Sequence, residues 1–193
     1  MAVSLTKGGR VDLTKGNPGL DEIEVGLGWD VNKYDGAQDF DLDASVFLQG
    51  SAKKVLKDTD FVFYGNPSHE SGAVVHSGDN RTGEGDGPDE TVTVTLSKVP
   101  AEIEYIAFTI TIHDAALRSQ NFGQVSNAFI KVTNKATGEE LISYDLGEEF
   151  SVQTAVVAGQ LYRHSGEWKF QAVGEGYADG LSGLCRDFGV NLA

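Results

Sequence analysis

Apolar and polar residues alternate with a period of two along much of this 193-residue chain. The pattern is clearest where Val92, Val94 and Leu96 alternate with threonines. Successive side chains of a strand point to opposite faces, so this segment is predicted to be a half-buried strand. Similar alternation, or a short apolar run between turn residues, predicts further strands at 22–30, 40–48, 60–64, 104–112, 126–133, 140–145, 153–163 and 167–173.

Helical periodicity is confined to two short segments. Residues 181–188 carry apolar side chains at positions i, i+3, i+4 and i+7, and Gly189 follows as a stop signal. A second helical turn is predicted after Asp114, whose side chain is placed to cap residues 115–120. About ten strands with 24 glycines and so few helices predict an all-β fold, a two-sheet β-sandwich with one or two short peripheral helices. No linker divides the sequence, so residues 1–193 are predicted to form a single domain.

The chain is strongly acidic, with 29 Asp and Glu against 15 Lys and Arg and a net charge of −14. Most of the excess lies in residues 20–90, which contain 16 acids and five bases. Such a charge disfavours direct binding to nucleic acid. The single Cys185 cannot form an internal disulfide, and no apolar run reaches the roughly 18 residues of a membrane helix. We therefore expect a cytoplasmic protein that does not span a membrane.

The most informative acidic segment is 79–90, which carries five carboxylates in 12 residues, interleaved with glycines. Glycine allows sharp turns that expose backbone carbonyls, and Ca²⁺ takes about six to eight oxygen ligands. The segment therefore predicts a calcium-binding loop, while Mg²⁺ is disfavoured because it prefers few carboxylates and retained waters. The predicted ligands in this segment are Asp79, Asn80, Gly83 through its carbonyl, Glu84, Asp86, Asp89 and Glu90.

A second acidic group consists of Asp39, Asp41 and Asp43, which alternate with apolar residues and so share one face of a strand. Asp30 ends the preceding predicted strand. The loops of a sandwich gather at its two ends, so we expect these four side chains to meet the 79–90 segment.

Three other interpretations remain open from the residues alone. A solvated acidic surface would keep the protein soluble without binding an ion. A metal-dependent hydrolase would use the same carboxylates with His113 as base, although no nucleophile motif accompanies it. Capture of a small ligand such as a cyclic nucleotide is the third.

Seven segments resemble the TerD family of tellurium-resistance and chemical-damaging-agent-resistance proteins. They are VSLTKGG (3–9), GLGWD (26–30), DFDLDAS (39–45), GDNRTGEGDG (78–87), TIHD (111–114), FGQV (122–125) and LYRHSGEWKF (161–170). The resemblance covers nearly the whole chain. It implies a β-sandwich that binds calcium through its acidic loops, in cytoplasmic bacterial proteins linked to tolerance of tellurite and other stresses. Where many relatives carry a further Asp, this chain has Pro88.

The sequence thus predicts a calcium-binding, non-enzymatic stress-response protein that acts as a Ca²⁺-ordered protein-interaction module. We expect two Ca²⁺ ions, one held by Asp41 with the ligands of the 79–90 segment and a second held by Asp30, Asp39 and Asp43. The expected partners, implied by the resemblance, are other stress and tellurium-resistance proteins, with a membrane-associated complex as one setting.

Overall fold

The computed structural model describes residues 2–31, 41–77, 88–146, 150 and 152–191. Within these ranges, twelve strands form two six-stranded sheets that enclose an apolar core. In chain order the strands are β1 (Val3–Leu5), β2 (Arg10–Asp12), β3 (Glu22–Val31), β4 (Leu42–Gln49), β5 (Phe61–Val62), β6 (Val74–His76), β7 (Glu90–Thr95), β8 (Tyr105–Ile112), β9 (Val125–Asn134), β10 (Glu140–Asp145), β11 (Ala155–His164) and β12 (Glu167–Tyr177). The first sheet has the spatial order β1-β10-β9-β3-β7-β6 and the second β2-β12-β11-β8-β4-β5. The predicted two-sheet sandwich is confirmed.

All nine strands that the alternation predicts are present, with ends that differ by a few residues. Three strands were not predicted, namely β1, β2 and β6, and each has three residues. A segment this short shows too few alternations to stand out from a loop. These three strands lie at the edges of the two sheets.

The two sheets differ in what lies on their outer faces. On the first sheet, β7 buries alternate residues and leaves its threonines partly exposed, as predicted. On the second sheet, β4 and β8 are buried on both faces, because a smaller apolar cluster that includes Phe47, Ala107 and Leu184 covers the outside. Burial on both faces removes the need for polar alternation, which explains the apolar runs Val46–Leu48 in β4 and Ile106–Phe108 in β8.

The cover of the second sheet is the C-terminal helix α2 (Gly180–Phe188), which follows the shorter α1 (Ala115–Arg118). The predicted stop at Gly189 is confirmed, since this residue has φ of 82° in the left-handed region that glycine tolerates. Cys185 packs in the cluster beneath α2, and burial raises the pKa of its thiol to about 11. Neither helix of the described chain has the length and apolar composition needed to cross a bilayer.

The capping role predicted for Asp114 is wrong. Asp114 precedes α1, but its side chain makes no capping hydrogen bond. Its backbone is left-handed, with φ of 51° and ψ of 32°, whereas a capping residue is normally extended so that its side chain can reach the first free N–H groups. The helix is also shorter than the predicted 115–120, because Ser119 adopts a second left-handed conformation that ends it.

Candidate cation site at one end of the sandwich

Three strands bring predicted ligands to one end of the sandwich. Asp30 lies near the C-terminal end of β3, and the antiparallel neighbour β7 begins beside it, with Leu27 opposite Glu90. The start of β4 in the other sheet joins this end because the backbone N–H of Ala44 donates to Glu90 Oε2 at 2.6 Å. The described ligands gathered here are Asp30, Asp41, Asp43, Asp89 and Glu90. The other predicted ligands, Asp39, Asp79, Asn80, Gly83, Glu84 and Asp86, lie outside the described residues.

Asp89 is held against β3 by two hydrogen bonds. Its backbone N–H donates to the carbonyl of Leu27 at 2.9 Å, and its Oδ2 accepts the N–H of Trp29 at 2.8 Å. Burial raises the pKa of this carboxyl; the Trp29 N–H opposes the change, while the charges of Asp30 and Glu90 add to it. Like charges therefore crowd at this position, and a bound cation would relieve their repulsion.

Asp30 and Asp43 each reach a neighbouring strand or loop. Asp30 is exposed, and its Oδ2 accepts a hydrogen bond from Asn127 Nδ2 at 2.7 Å. Asp43 Oδ2 lies 3.9 Å from His113 Nδ1, an ion-pair distance too long for a hydrogen bond. The backbone N–H of His113 donates to the carbonyl of Asp41 at 2.7 Å. The loop after β8 is thereby tied to the start of β4.

Glu90 differs from the other four because its side chain is buried between the sheets, with 1 % exposed. Besides the Ala44 N–H, its Oε2 lies 3.1 Å from Nε2 of His76, a histidine that is itself 5 % exposed. His76 Nε2 is also 3.0 Å from the carbonyl oxygen of Ala44. The contacts among Glu90, His76 and Ala44 thus join β7, β6 and β4 inside the protein.

Pro88 packs directly on β3 at the point where the chain enters β7. A Cβ atom at Gly26 would lie 2.6 Å from Pro88 Cγ, which is closer than two non-bonded carbon atoms approach one another. Gly26 therefore allows the proline to lie flat on the strand. Pro88 is thus accommodated by packing and leads directly into Asp89.

A model of the TerD domain matches residues 1–188. The chain belongs to the TerD family. Over 192 residues it is 60 % identical to general stress protein 16U of Bacillus subtilis (strain 168), with 100 % of both chains covered. It is 54 % identical over 193 residues to the tellurium resistance protein TerD of Serratia marcescens, again with 100 % of both chains covered. The predicted resemblance is confirmed.

A third relative is chemical-damaging agent resistance protein B of Clostridium acetobutylicum, 55 % identical over 138 residues, which are 72 % of this chain and 99 % of that protein. The crystal structure of a protein of unknown function superposes with a TM-score of 0.71 at 25 % identity, covering 90 % of this chain and 99 % of that one. The crystal structure of a homologue of the telluride resistance protein TerD from Streptomyces coelicolor A3(2) superposes with a TM-score of 0.69 at 23 % identity. The superposition covers 85 % of this chain and 94 % of that one. The likeness to the latter supports the sandwich fold alone. The three named relatives are resistance and stress proteins, and none of their names states an enzymatic activity.

Within the described part of this TerD-family chain, no three His, Cys, Asp or Glu side chains form a group able to hold a metal ion. The five described ligands flank segments 32–40 and 78–87 in the sequence. The other six predicted ligands belong to these two segments.

A surface cleft of about 390 Å³ lies apart from the predicted ligands. Its lining residues are Lys7, Phe150, Gln153, Val173, Gly174, Glu175 and Gly176. His113, the base in the hydrolase hypothesis, does not line it. The His113 ring instead lies between two carboxylates, with Nε2 3.3 Å from Asp114 Oδ2 and Nδ1 facing Asp43.

Sequence reasoning did not include His76 in the site. The only signal was its place in the run Val74–His76, where a period of two puts the histidine on the same buried face as Val74. A polar residue at an apolar position indicates a buried partner. Its partners are 14 and 32 residues away in the chain, so no local pattern reveals them.

Proposed function

We propose that this TerD-family chain is a calcium-binding stress-response protein without enzymatic activity, in which Ca²⁺ orders one end of the sandwich for a protein partner. The observation that carries the proposal is that strands from both sheets begin or end there with a carboxylate residue, joined by the Ala44–Glu90 hydrogen bond. Asp30 and Asp89 come from the first sheet, and Asp41 and Asp43 come from the start of β4 in the second. In this proposal residues 1–193 act as one unit in the cytoplasm.

The donor set fits calcium. All eleven predicted ligands offer oxygen atoms, and Ca²⁺ takes about six to eight of them at 2.3–2.6 Å. Asp89 is held in place by the Trp29 N–H, so its orientation does not depend on the ion. Eleven oxygen-bearing residues are enough for two ions that share ligands or retain water.

Bound Ca²⁺ would supply the positive charge that the crowded carboxylates lack and would join the two acidic segments by coordination. The protein itself supplies the frame. β3 and β7 hold Asp30 and Asp89 side by side, while β4 brings Asp41 and Asp43 from the opposite sheet.

The surface beside this end supports a role in protein interaction. Leu117 of α1 is 85 % exposed, the largest exposed fraction among the large apolar side chains of the described residues. The helix lies between two left-handed residues, Asp114 and Ser119, and strained backbone of this kind is concentrated at functional segments. His113 connects α1 to Asp41 and Asp43, so an ion bound there would influence how Leu117 is presented. We propose other stress and tellurium-resistance proteins as partners, including ones in a membrane-associated complex.

Calorimetric titration with Ca²⁺ and thermal melts in EDTA and in millimolar Ca²⁺ test the proposal. A ligand that binds only the folded state at about a hundredfold above Kd adds about 2.7 kcal/mol, which raises Tm by about 5–10 °C for a chain of this size. Asp89→Asn keeps a carbonyl acceptor for Trp29 but removes the charge, so it should weaken binding. Glu24→Gln, a matched loss of one carboxylate in mid-strand β3 opposite Thr93, should leave binding unchanged. Coincident melts with no heat of binding would falsify the proposal.

A further inference from the structure

His76, Glu90 and the peptide groups of Ala44 form a buried contact between the two sheets, here called the inter-sheet clip. His76 and Glu90 belong to β6 and β7 of the first sheet, whereas Ala44 belongs to β4 of the second. The Ala44 N–H donates to Glu90 Oε2 at 2.6 Å, and His76 Nε2 lies 3.0 Å from the Ala44 carbonyl oxygen and 3.1 Å from Glu90 Oε2.

The proton on the histidine can be assigned from these contacts. Both atoms that face His76 Nε2 are oxygens, a carbonyl and a carboxylate, and both accept hydrogen bonds. Nε2 therefore carries a hydrogen and donates it between them. Glu90 Oε2 accepts from both the histidine and the Ala44 N–H, which completes the clip.

The clip replaces a missing stretch of strand pairing. β5 pairs with β4 only at Val46 and Phe47, so it stops before it reaches Ala44. The N–H and C=O of one strand residue point to the same side, and here both point to the clip. Buried backbone groups without partners destabilise the folded state, and the two side chains supply those partners.

The position of the clip connects it to the proposed calcium site, on which this inference rests. Ala44 directly follows Asp43, and Glu90 directly follows Asp89. The clip therefore sets the distance between two carboxylate-bearing residues on different sheets. We infer that His76 is a positioning residue for the cation site, which holds the start of β4 against the start of β7.

The chain contains a matched control. His69 is also buried, and its Nε2 lies 2.9 Å from Oδ1 of buried Asp60. This pair belongs to the connections around β5 and touches none of the described predicted ligands. Loss of His69 therefore removes a comparable buried contact without moving β4 against β7.

Calcium affinity by titration calorimetry, with stability in EDTA measured in parallel, tests the inference. His76→Leu should weaken calcium binding about 10- to 100-fold, as loss of residues that orient metal ligands does. His76→Gln, which keeps an N–H at a similar reach, should restore affinity to within about threefold of the parent. His69→Leu should lower stability to a similar extent and leave affinity unchanged.

Different failures are distinguishable. If the parent binds calcium and His76→Leu binds equally well, the inference is overturned and the proposed function stands. If the parent does not bind calcium, the proposed function fails and the inference falls with it. Should His76→Leu not fold, His76→Asn takes its place, because its shorter amide cannot reach both oxygens. Equal affinity of the Asn and Gln variants would then overturn the inference.

Discussion

Two buried histidine–carboxylate pairs in this molecule look alike and connect very different parts of it. His69 and Asp60 face each other at 2.9 Å, and His76 and Glu90 at 3.1 Å. All four side chains are at most 2 % exposed. By burial and distance the two pairs are equivalent, so any difference in role comes from their other contacts.

The Asp60–His69 pair is local. Asp60 Oδ2 accepts the backbone N–H groups of Leu56 and Lys57 at 3.1 Å, and His69 Nδ1 lies 2.7 Å from Ser71 Oγ. All of these residues fall within 16 positions of one another in the chain. The pair therefore holds the connections before and after β5 in shape.

Ser71, His69 and Asp60 contact one another in the same sequence, hydroxyl to imidazole to carboxylate, as a hydrolase triad. Their other hydrogen bonds, however, are those of a structural turn. The Ser71 N–H donates to His69 Nδ1 at 3.2 Å, and the Ala73 N–H donates to Ser71 Oγ at 3.1 Å. Nδ1 is thus an acceptor, and the Ser71 hydroxyl is held between two groups of its own turn. These hydrogen bonds stabilise a turn formed by residues 69–73.

The His76–Glu90 pair is long-range. Its contacts to Ala44 span 32 and 46 residues and cross from one sheet to the other. A local pair stabilises the segment that contains it, whereas this pair joins the two sheets at the end where the five described predicted ligands lie. Similar chemistry therefore has a structural role in one place and a proposed functional role in the other.

The largest expected effect is the loss of stability when the carboxylate of either pair, Asp60 or Glu90, is removed. Asp60→Ala and Glu90→Ala should each lower the free energy of unfolding in EDTA by about 2–5 kcal/mol, because each removes the acceptor of at least two N–H groups. Urea unfolding with and without calcium measures the difference between them. Asp60→Ala should keep the full stabilisation by calcium, and Glu90→Ala should lose most of it. Equal retention in both variants would show that the pairs are equivalent.

Two glycines provide a smaller and sharper comparison. A Cβ at Gly26 would lie 2.6 Å from Pro88 Cγ, next to Asp89, and one at Gly65 would lie 2.5 Å from Phe63 Cε2, near the local pair. Overpacking of this kind costs about 1–3 kcal/mol. Gly26→Ala and Gly65→Ala should therefore lose similar stability in thermal melts. Only Gly26→Ala should also weaken calcium binding, and an unchanged affinity would mean that the packing of Pro88 does not position Asp89.

The smallest expected effect is on the pH dependence of stability and comes from Tyr177, which belongs to neither pair. Burial, followed by the charges of Glu175 and Asp187, raises the pKa of Tyr177 to about 12. The folded state thus holds this proton more tightly than the unfolded chain, whose tyrosine pKa is about 10. The resulting stability is complete below about pH 10 and is lost as the pH rises towards 12.

Urea unfolding between pH 9 and about 12 measures this loss, which is modest because the side chain is partly exposed. Tyr177→Phe should flatten the decline, while Tyr162→Phe, a matched change on β11, should not. A decline that is the same in all three proteins would assign the alkaline sensitivity to another group.

The accuracy of sequence-based prediction varied with how each segment is packed. β7 was predicted well because its outer face is uncovered, so its threonines and valines alternate. β4 and β8 are covered on both faces, and their buried Ser45 and Thr109 hydroxyls, 2.6 Å apart, would be assigned to the surface by polarity alone. The failed cap at Asp114 has a different cause: its backbone is left-handed, a conformation that Asp tolerates better than most residues, and its side chain makes no capping hydrogen bond.

The sequence by itself determined the core-facing residues of β3, β4, β7 and β8, the end of α2 at Gly189 and the concentration of acids at 39–43 and 79–90. These properties depend on neighbouring residues, so a period of two or a single glycine is enough to specify them. Only the tertiary structure decided that His76 and Glu90 would meet Ala44, since periodicity assigns a face but not a partner. Partners across 32 or 46 residues depend on where each strand stops, and the early end of β5 left the Ala44 backbone groups for these side chains to bind.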